Sequence, residues 1–307
     1  MSHLKTSPIR MGDWMLERGL LGAGLIVLLL FVLYLIMLTT ASFESFQEFG
    51  FGFLISHDWN PVSHIYGAIP FIYGTTVSSL IAIVLASIIG VSAAVFLTQF
   101  APAWLAGPVL FLIELLAAIP SVVYGLWGIF FLAPLLRTSV QPWLQKYFGF
   151  LPLFQGSMYG IGMLAAGIIL AIMILPTITA IVRDVIMTVP REHKEAALGL
   201  GATKWEMVRL AVLPYSMAGI LGGIMLALGR ALGETMAVTM VIGNRPEVSA
   251  SLFAPSYTMA SVIANEFTEA TSSIHIAALT EIGLVLFMVT IVFYLGARFL
   301  ISRVNRV

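Results

Sequence analysis

The chain has 307 residues, of which 60% are hydrophobic and only 10% are charged, and this composition excludes an ordinary water-soluble fold. Acidic and basic residues are equal in number, so the formal net charge is zero and a nucleic-acid partner is not expected. With no cysteine and five scattered histidines, the chain offers no disulfide framework, and we predict no bound metal.

Six apolar stretches are long enough to cross about 30 Å of hydrocarbon as helices. In chain order they cover residues 20–40, 74–99, 108–136, 158–183, 214–243 and 274–299. None of them shows the alternation of a barrel strand, and lipid cannot satisfy open backbone groups. The sequence therefore predicts an all-α, polytopic membrane protein with six transmembrane helices.

The first of these stretches also has features of a secretory signal. Lys5, Arg10 and Arg18 precede it, and Thr39 and Ala41 resemble a small-residue cleavage site. Its 21 uncharged residues exceed the apolar region of a signal peptide. We interpret it as an uncleaved anchor, with a removed signal as the alternative, and divide the chain into an N-terminal segment 1–19 and a transmembrane domain 20–307.

Basic residues fall unevenly on the two sides of the predicted bundle. Eleven of the fifteen share the side of both termini: Lys5, Arg10, Arg18, Arg183, Arg191, Lys194, Lys204, Arg209, Arg298, Arg303 and Arg306. The opposite side holds Arg137, Lys146 and Arg245, while Arg230 lies within a span. The positive-inside rule therefore predicts that both termini are cytoplasmic.

The external segment 42–73 is aromatic and acidic, with Trp59, Tyr66, Glu44 and Asp58 among its residues. Its prolines and glycines favour an ordered cap on the bundle, which would offer a docking surface. A simple interfacial belt of aromatic side chains is the other interpretation. The external loops 137–157 and 244–273 are also large enough to contact a soluble partner.

The cytoplasmic segment 184–213 is the longest charge-rich stretch of the chain. Pro190 is suited to open a short helix, and Gly199 with Gly201 to end it in a backbone turn. A second short helix over residues 203–210 then leads to Pro214 and the fifth span. The predicted shape is helix, glycine turn and helix along the membrane face.

This segment carries a spaced motif: Glu195, Ala196 and Ala197, then Gly201 after three residues, then Leu213 and Pro214 after eleven more. It resembles the EAA motif of ABC importer permeases, with Ala211 where that motif has isoleucine. The resemblance implies a coupling helix that docks on a cytoplasmic ATPase. Small alanine faces and a turning glycine permit close approach, and Glu195 is suited to pair with a basic residue.

The chain has no nucleotide-binding loop of its own. A P-loop requires Gly-Lys followed by Ser or Thr, and none of the four lysines follows a glycine. We therefore expect no cofactor on this chain and no enzymatic activity from it alone. ATP and Mg would bind to the partner ATPase.

Four ionisable residues fall inside the predicted spans, where a charge costs at least about 2.5–3.5 kcal/mol: Glu114, Arg230, Glu234 and Glu281. Arg230 and Glu234 lie four residues apart, so on one helix they would share a face and pair. The pair would either neutralise itself or, since a guanidinium presents a fork of donors, assist an oxyanion through the membrane.

The other polar positions within spans suit structural roles first. Pro120 follows Glu114 and predicts a bend in the third span, either a gating hinge or a fixed kink. Glu281 has no evident partner on its helix, so a polar contact with another helix is expected. Small residues at 219, 223 and 227, and again at 229 and 233, predict close helix packing more than a lining for a path.

Two longer runs, IELLAAIPSVVYGLWG at 113–128 and LGRALGETMAVTMVIGN at 228–244, resemble PstC-type permeases of phosphate ABC importers. The similarity covers nearly the whole chain, including residues 66–75 and 264–270. It implies a type I ABC importer permease in the bacterial inner membrane, paired with a PstA-like sister permease. Two ATPase subunits and a periplasmic phosphate-binding protein would complete the transporter.

The resemblance also implies that phosphate crosses by alternating access near Arg230 and Glu234. Chemistry alone leaves other functions open. A permease for sulfate, molybdate or phosphonate would keep the same fold and coupling loop. A stand-alone channel or secondary transporter, or a membrane scaffold, would require the motif to be a coincidence.

Overall fold

The computed structural model describes residues 11–304 of the chain, so residues 1–10 of the predicted N-terminal segment lie outside it. Six helical stretches have the length and composition of membrane spans, as predicted. They are Trp14–Ala41, Ile69–Phe100, Ser121–Phe148, Met163–Met187, Lys204–Gly233 and Ser273–Phe299. Within the described residues the only strand-like pairings are two isolated bridges, Asn60 with Ile65 and Gly243 with Ser256.

Residues 11–304 contain fifteen α-helices in chain order. They are α1 (Met11–Ala41), α2 (Phe43–Phe49), α3 (Gly52–Ile55), α4 (Ile69–Val95), α5 (Ala103–Ala117), α6 (Ser121–Trp127), α7 (Ala133–Leu135), α8 (Gln141–Phe148), α9 (Met163–Met187), α10 (Arg191–Gly199), α11 (Lys204–Met207), α12 (Leu213–Gly233), α13 (Met236–Val241), α14 (Met259–Glu266) and α15 (Ser273–Val304). Short π-helical turns join α4 to residue 100, connect α6, α7 and α8, and connect α11 to α12.

Helix α9 is the centre of the bundle, with α4 and α12 packed along it. Glycines permit this close packing. A methyl group at Gly223 would lie 2.8 Å from a side-chain carbon of Ile181, and one at Gly167 would lie 2.6 Å from Ile81. The predicted packing role of the row at 219, 223 and 227 is thereby confirmed, whereas Gly233 faces open space among the described residues.

Helices α2, α3 and α14, with the loops around them, form a second core at one end of the bundle, here called the cap. Trp59 is 9% exposed and Tyr66 is 2% exposed, and their rings meet edge to face at 4.9 Å. The indole of Trp59 donates to Glu266 Oε2 over 3.0 Å. These aromatic residues therefore build an ordered cap, as one of the two interpretations predicted, instead of a lipid-facing belt.

Burial also moves the pKa of two tyrosines of the cap further above neutral pH. It raises the pKa of Tyr257 to about 12 and raises the pKa of Tyr66 above its usual value. The Tyr257 hydroxyl accepts a hydrogen bond of 2.9 Å from the Asn265 side chain. Deprotonation therefore does not disturb the cap near neutral pH.

The third pass differs from its prediction. Instead of one bent span over 108–136, a separate helix α5 precedes a span over Ser121–Phe148. Pro120 lacks an amide donor and has an extended ψ of 142°, so the backbone breaks at residues 118–120. Pro120 thus begins a new helix and does not kink a continuous one.

The fourth and fifth passes also shift from their predicted limits. Helix α9 begins at Met163 and not at residue 158, because Gly160 and Gly162 adopt positive φ values of 80° and 146°. The fifth helix runs continuously from Lys204 and ends at Gly233, ten residues before the predicted end at 243. Glu234 is extended there, with ψ of 127°, and the chain resumes as α13.

Candidate functional site

Arg230 lies in the last turn of α12, where the exposed carbonyl groups of a helix C-terminus favour a cation. Its side chain is exposed in this single chain, and its Nη1 donates to the Thr177 hydroxyl of α9 over 3.3 Å. A guanidinium has five N–H donors in a fixed fork. One contact with Thr177 leaves donors available to an anion beside α9.

Arg230 and Glu234 do not form the predicted pair. The helix ends between them, and no ion pair within 4.0 Å joins them in the described part of the chain. Glu234 Oε1 instead accepts from the backbone amide of Ala237 over 3.3 Å. The carboxylate therefore supports the first turn of α13, and the spacing-based pairing is wrong because the helix does not continue.

Helical backbone hydrogen bonding is incomplete at three points within the membrane passes. One is the break before Pro120, the second is Pro176 inside α9, and the third is the extended Glu234. Tyr124 spans the first break by donating to the Leu116 carbonyl over 2.7 Å. Irregular backbone in a membrane is tolerated where it is buried in protein or lines a water-filled cavity. Pro176 directly precedes Thr177, which contacts Arg230, and Glu234 follows Arg230 by four residues, so the surroundings of Arg230 are the candidate substrate path.

A cavity of about 270 Å³ adjoins the break before Pro120. Leu116, Tyr124, Trp127 and Ile172 line it, so it connects the end of α5, the start of α6 and the middle of α9. Pro176 cannot donate to the carbonyl four residues earlier, which is that of Ile172. Most of the cavity lining is apolar, and Arg230 is not among its described lining residues.

The remaining predicted polar positions lie apart from Arg230. Glu114 is exposed on α5, a helix with no buried residue in the single chain. Glu281 is only 5% exposed on α15, and its Oε2 has no hydrogen-bond partner among residues 11–304. The Ser45 hydroxyl of α2 faces the Glu281 carboxyl, so a polar group of another helix lies beside it.

The charge-rich segment has the predicted helix, turn and helix. Helix α10 follows Pro190, and Gly201 has a positive φ of 86° that favours glycine. Thr203 and Glu206 then form a capping box, from which the fifth span starts directly. The predicted separate second helix is therefore the first part of that span.

This segment presents an exposed surface, here called the coupling surface. Glu195 and Ala196 are exposed, and Leu200 at the turn is 91% exposed. Ala197, by contrast, packs against the bundle core, and Leu213 does the same. Pro214 is exposed in the first turn of α12.

One ring contact and one groove are further features of the coupling surface. The ring of His193 lies 5.4 Å from that of Tyr215, so α10 is held directly against α12. A groove of about 440 Å³ opens beside Ala197, Gly201 and Ala211. Ala211 has a smaller side chain than the isoleucine of the usual motif, which leaves this groove unfilled.

Comparison with known proteins identifies the class. Residues 86–306 match the family described as binding-protein-dependent transport system inner membrane component. The chain belongs to this family and is a multi-pass membrane component of a transport system.

Individual relatives of the chain define a narrower group than the family match does. A phosphate transport system permease protein PstC from Mesorhizobium japonicum is 49% identical, over 92% of this chain and 88% of the relative. The protein of the same name from Pasteurella multocida is 50% identical over 92% of this chain and 89% of its own length. A probable phosphate transport system permease protein PstC from Methanocaldococcus jannaschii is 36% identical over 89% of this chain and 88% of its own length. The predicted resemblance to PstC-type permeases is confirmed.

A solved structure supports the fold alone. A chain of the MetNI methionine ABC transporter, in an inward-facing conformation, superposes with a TM-score of 0.56 at 16% identity. The match covers 77% of this chain and 95% of that chain. The predicted type I permease fold is thereby confirmed.

Sequence reasoning missed two residues of the site and one of the coupling surface. Thr177 and Tyr124 are far from Arg230 in the chain, so spacing gives no sign of their proximity. Pro176, directly before Thr177, was the sequence feature that could have indicated this part of the site. The sequence also contained a signal for Leu200, because an apolar residue in a turn that ends a charged helix indicates contact with a partner protein.

Proposed function

We propose that this chain is a permease subunit of an ATP-driven importer that translocates inorganic phosphate across the cytoplasmic membrane by alternating access. The observation that carries this proposal is Arg230, an exposed guanidinium that contacts Thr177 of α9 and lies four residues before the helix break at Glu234. Phosphate as the anion follows from the relatives, which are named phosphate permeases at 46–50% identity. Discontinuous helices at mid-membrane are a recurrent way to build transporter sites.

Arg230 would attract phosphate and offer it paired donors, while Thr177 holds one edge of the guanidinium. Phosphate oxygens suit a planar fork of N–H groups better than a single ammonium. Glu234 would act indirectly, by fixing the start of α13 and therefore the shape of the break. Its contact with Ala237 supports that role more than a direct contact with the guanidinium.

The coupling surface would dock on a partner ATPase. Leu200 supplies an apolar anchor, and Glu195 lies on the same exposed surface for a basic partner residue. Motion of α10 would reach α12 through His193 and Tyr215, and α12 carries Arg230. Opening and closing of the ATPase pair would thus change access to the candidate path.

The complete transporter would contain this chain, a PstA-like sister permease and two ATPase subunits. A periplasmic phosphate-binding protein would deliver the anion to the cap. ATP and Mg would bind only to the ATPase, so this chain acts as a membrane component and not as an enzyme. Glu114 and Pro120 remain candidates for gating.

The orientation has a direct test. With six passes, both ends of the described chain would lie on the side of the coupling surface, which we propose is cytoplasmic. Since the chain has no cysteine, Leu200→Cys and Val62→Cys each introduce a single thiol. A membrane-impermeant maleimide applied to spheroplasts should label the cap residue Val62→Cys and not Leu200→Cys. The reverse pattern would overturn the orientation.

Substrate identity is tested by uptake in proteoliposomes that contain the assembled complex and binding protein. Radiolabelled phosphate should accumulate only with ATP, and unlabelled phosphate should compete far better than sulfate, molybdate or a phosphonate. Preferred competition by one of those anions would reassign the substrate while retaining the fold. Phosphate flux through this chain without ATPase would instead indicate a channel or secondary transporter.

A further inference from the structure

The groove of about 440 Å³ on the coupling surface contains a single charged side chain among its described lining residues. Leu200, Leu210 and Ala211 belong to its apolar lining, and Leu200 is 91% exposed and Leu210 68% exposed. The charged residue is Glu206, which is also exposed to solvent. The groove therefore combines apolar walls with one accessible carboxylate.

The carboxylate of Glu206 is held in place while one of its oxygen atoms stays free. Oε2 accepts from the backbone amide of Thr203 and from its hydroxyl, each over 2.8 Å. Oε1 has no hydrogen bond or ion pair within residues 11–304. Because each carboxylate oxygen has about two lone-pair sites, Oε2 is saturated and Oε1 remains available to a donor. The capping box thus fixes an acceptor on a residue that lines the groove.

The chemistry of the groove distinguishes between kinds of occupant. Anionic lipid headgroups of the cytoplasmic leaflet are repelled by a carboxylate. An acyl chain or a purely apolar side chain would fill the groove but leave Oε1 without a donor. A lysine or arginine side chain fits both parts, because its aliphatic stem packs on apolar surface while its charged end reaches a polar group. The charge complementarity therefore favours a protein partner that inserts a basic side chain.

We propose that a basic side chain of the partner ATPase inserts into this groove, with its stem against Leu210 and Ala211 and its charged end on Glu206. This inference rests on the proposed function, because it requires that the coupling surface docks on an ATPase. The contact is distinct from the one proposed for Glu195, and here the ATPase side chain enters the permease. Isoleucine at position 211 would occupy the space that the stem takes, so the smaller alanine permits the contact.

The proposed contact reaches the transport path through one continuous element. Glu206 and Arg230 both belong to the helical stretch Lys204–Gly233. A basic side chain held by Glu206 thus pulls directly on the span that carries Arg230, in addition to the route from α10 through His193 and Tyr215.

The first test is the affinity of the ATPase for the two permease subunits in nanodiscs. Glu206→Gln retains a side-chain oxygen for the capping box but loses the charge. Its dissociation constant for the ATPase should rise about tenfold at low salt, the factor for one charge-assisted hydrogen bond, and the difference should shrink at high salt. Glu17→Gln neutralises an exposed carboxylate on α1, outside the groove, and should leave the affinity unchanged. Wild-type affinity of Glu206→Gln, or a loss that is independent of salt, would overturn the proposal.

The size of the groove supplies a second test in the same assay. Ala211→Ile fills the groove without altering Glu206, and should weaken ATPase binding at both salt concentrations. Ala211→Ser keeps a small side chain and should bind like the wild type. Equal affinities of the isoleucine and serine variants would show that nothing enters the groove.

Cross-linking identifies the occupant. Leu200 lines the groove and is nearly fully exposed, so it can be replaced by photoreactive benzoylphenylalanine. The cross-linked ATPase peptide should contain a lysine or arginine whose replacement by glutamine weakens binding as much as Glu206→Gln does. The double variant should bind about as weakly as either single variant, since both changes remove one contact.

The remaining outcomes separate this inference from the proposed function. Cross-linking to an ATPase segment in which no basic residue is coupled to Glu206 would overturn the groove assignment and leave the docking surface intact. Cross-linking only to lipid, to this chain or to the sister permease would overturn both. None of these outcomes depends on which anion is transported.

Discussion

Thr177 is predicted to hold Arg230 in its transport geometry, and Thr177→Val tests this contact. Valine keeps the branched shape of threonine but removes the hydroxyl oxygen that accepts from Nη1 over 3.3 Å. Because Arg230 is exposed in the single chain, its side chain then gains rotational freedom. The guanidinium remains charged but occupies the productive position for a smaller fraction of time.

The magnitude follows from the contact. Hydrogen bonds to charged groups are worth about 1.5–3 kcal/mol, and this one is long and partly open to solvent, so we expect about 1 kcal/mol. That energy corresponds to about a fivefold loss in transport efficiency. Thr177→Ser keeps the hydroxyl group and should remain close to wild type.

The assay is the phosphate concentration dependence of ATP-driven uptake by reconstituted complexes. Thr179→Val is the matched control, because Thr179 is buried on the same helix and donates only to the Leu175 carbonyl over 2.9 Å. The reasoning is refuted if Thr177→Val transports like the wild type, or if both valine variants lose the same amount.

Three further predictions concern packing, coupling and the cap. Gly223→Ala should lower the thermal unfolding midpoint of the purified complex, since its methyl group meets Ile181 at 2.8 Å and overpacking costs about 1–3 kcal/mol. Gly222→Ala, with open space around it in the described chain, should be neutral or slightly stabilising, and equal effects would contradict the packing assignment. Leu200→Asp should reduce copurification of the ATPase, whereas unchanged recovery would remove Leu200 from the interface. Trp59→Phe should destabilise the cap by about 1–2 kcal/mol, measured by thermal unfolding, because Glu266 loses an N–H donor; an unchanged midpoint would argue against that role.

The features that the sequence predicted are those with local causes. Span positions follow from apolar length, and the turn after α10 follows from Pro190 and Gly201, whose backbone preferences are intrinsic. The packing of Gly223 also follows from small residues at a spacing of four. Such features need no knowledge of distant contacts.

The features that the sequence did not predict depend on tertiary contacts. Apolar residues resume directly after Glu234 and Thr235, so composition alone gives no sign that the helix stops at Gly233. Capping of α13 by Glu234 makes that break favourable, and only the folded chain reveals it. Thr177 meets Arg230 across 53 residues, and Trp59 meets Glu266 across 207, so neither partner was predictable from spacing.

ATP-driven phosphate uptake by complexes that carry Arg230→Gln, with ATP hydrolysis recorded in the same vesicles, tests the account most directly. Glutamine removes the charge and the paired donors but keeps a polar side chain of moderate length. We predict normal assembly, continued ATP hydrolysis and a loss of phosphate uptake. Wild-type uptake by this variant would contradict the assignment of Arg230 to the phosphate path.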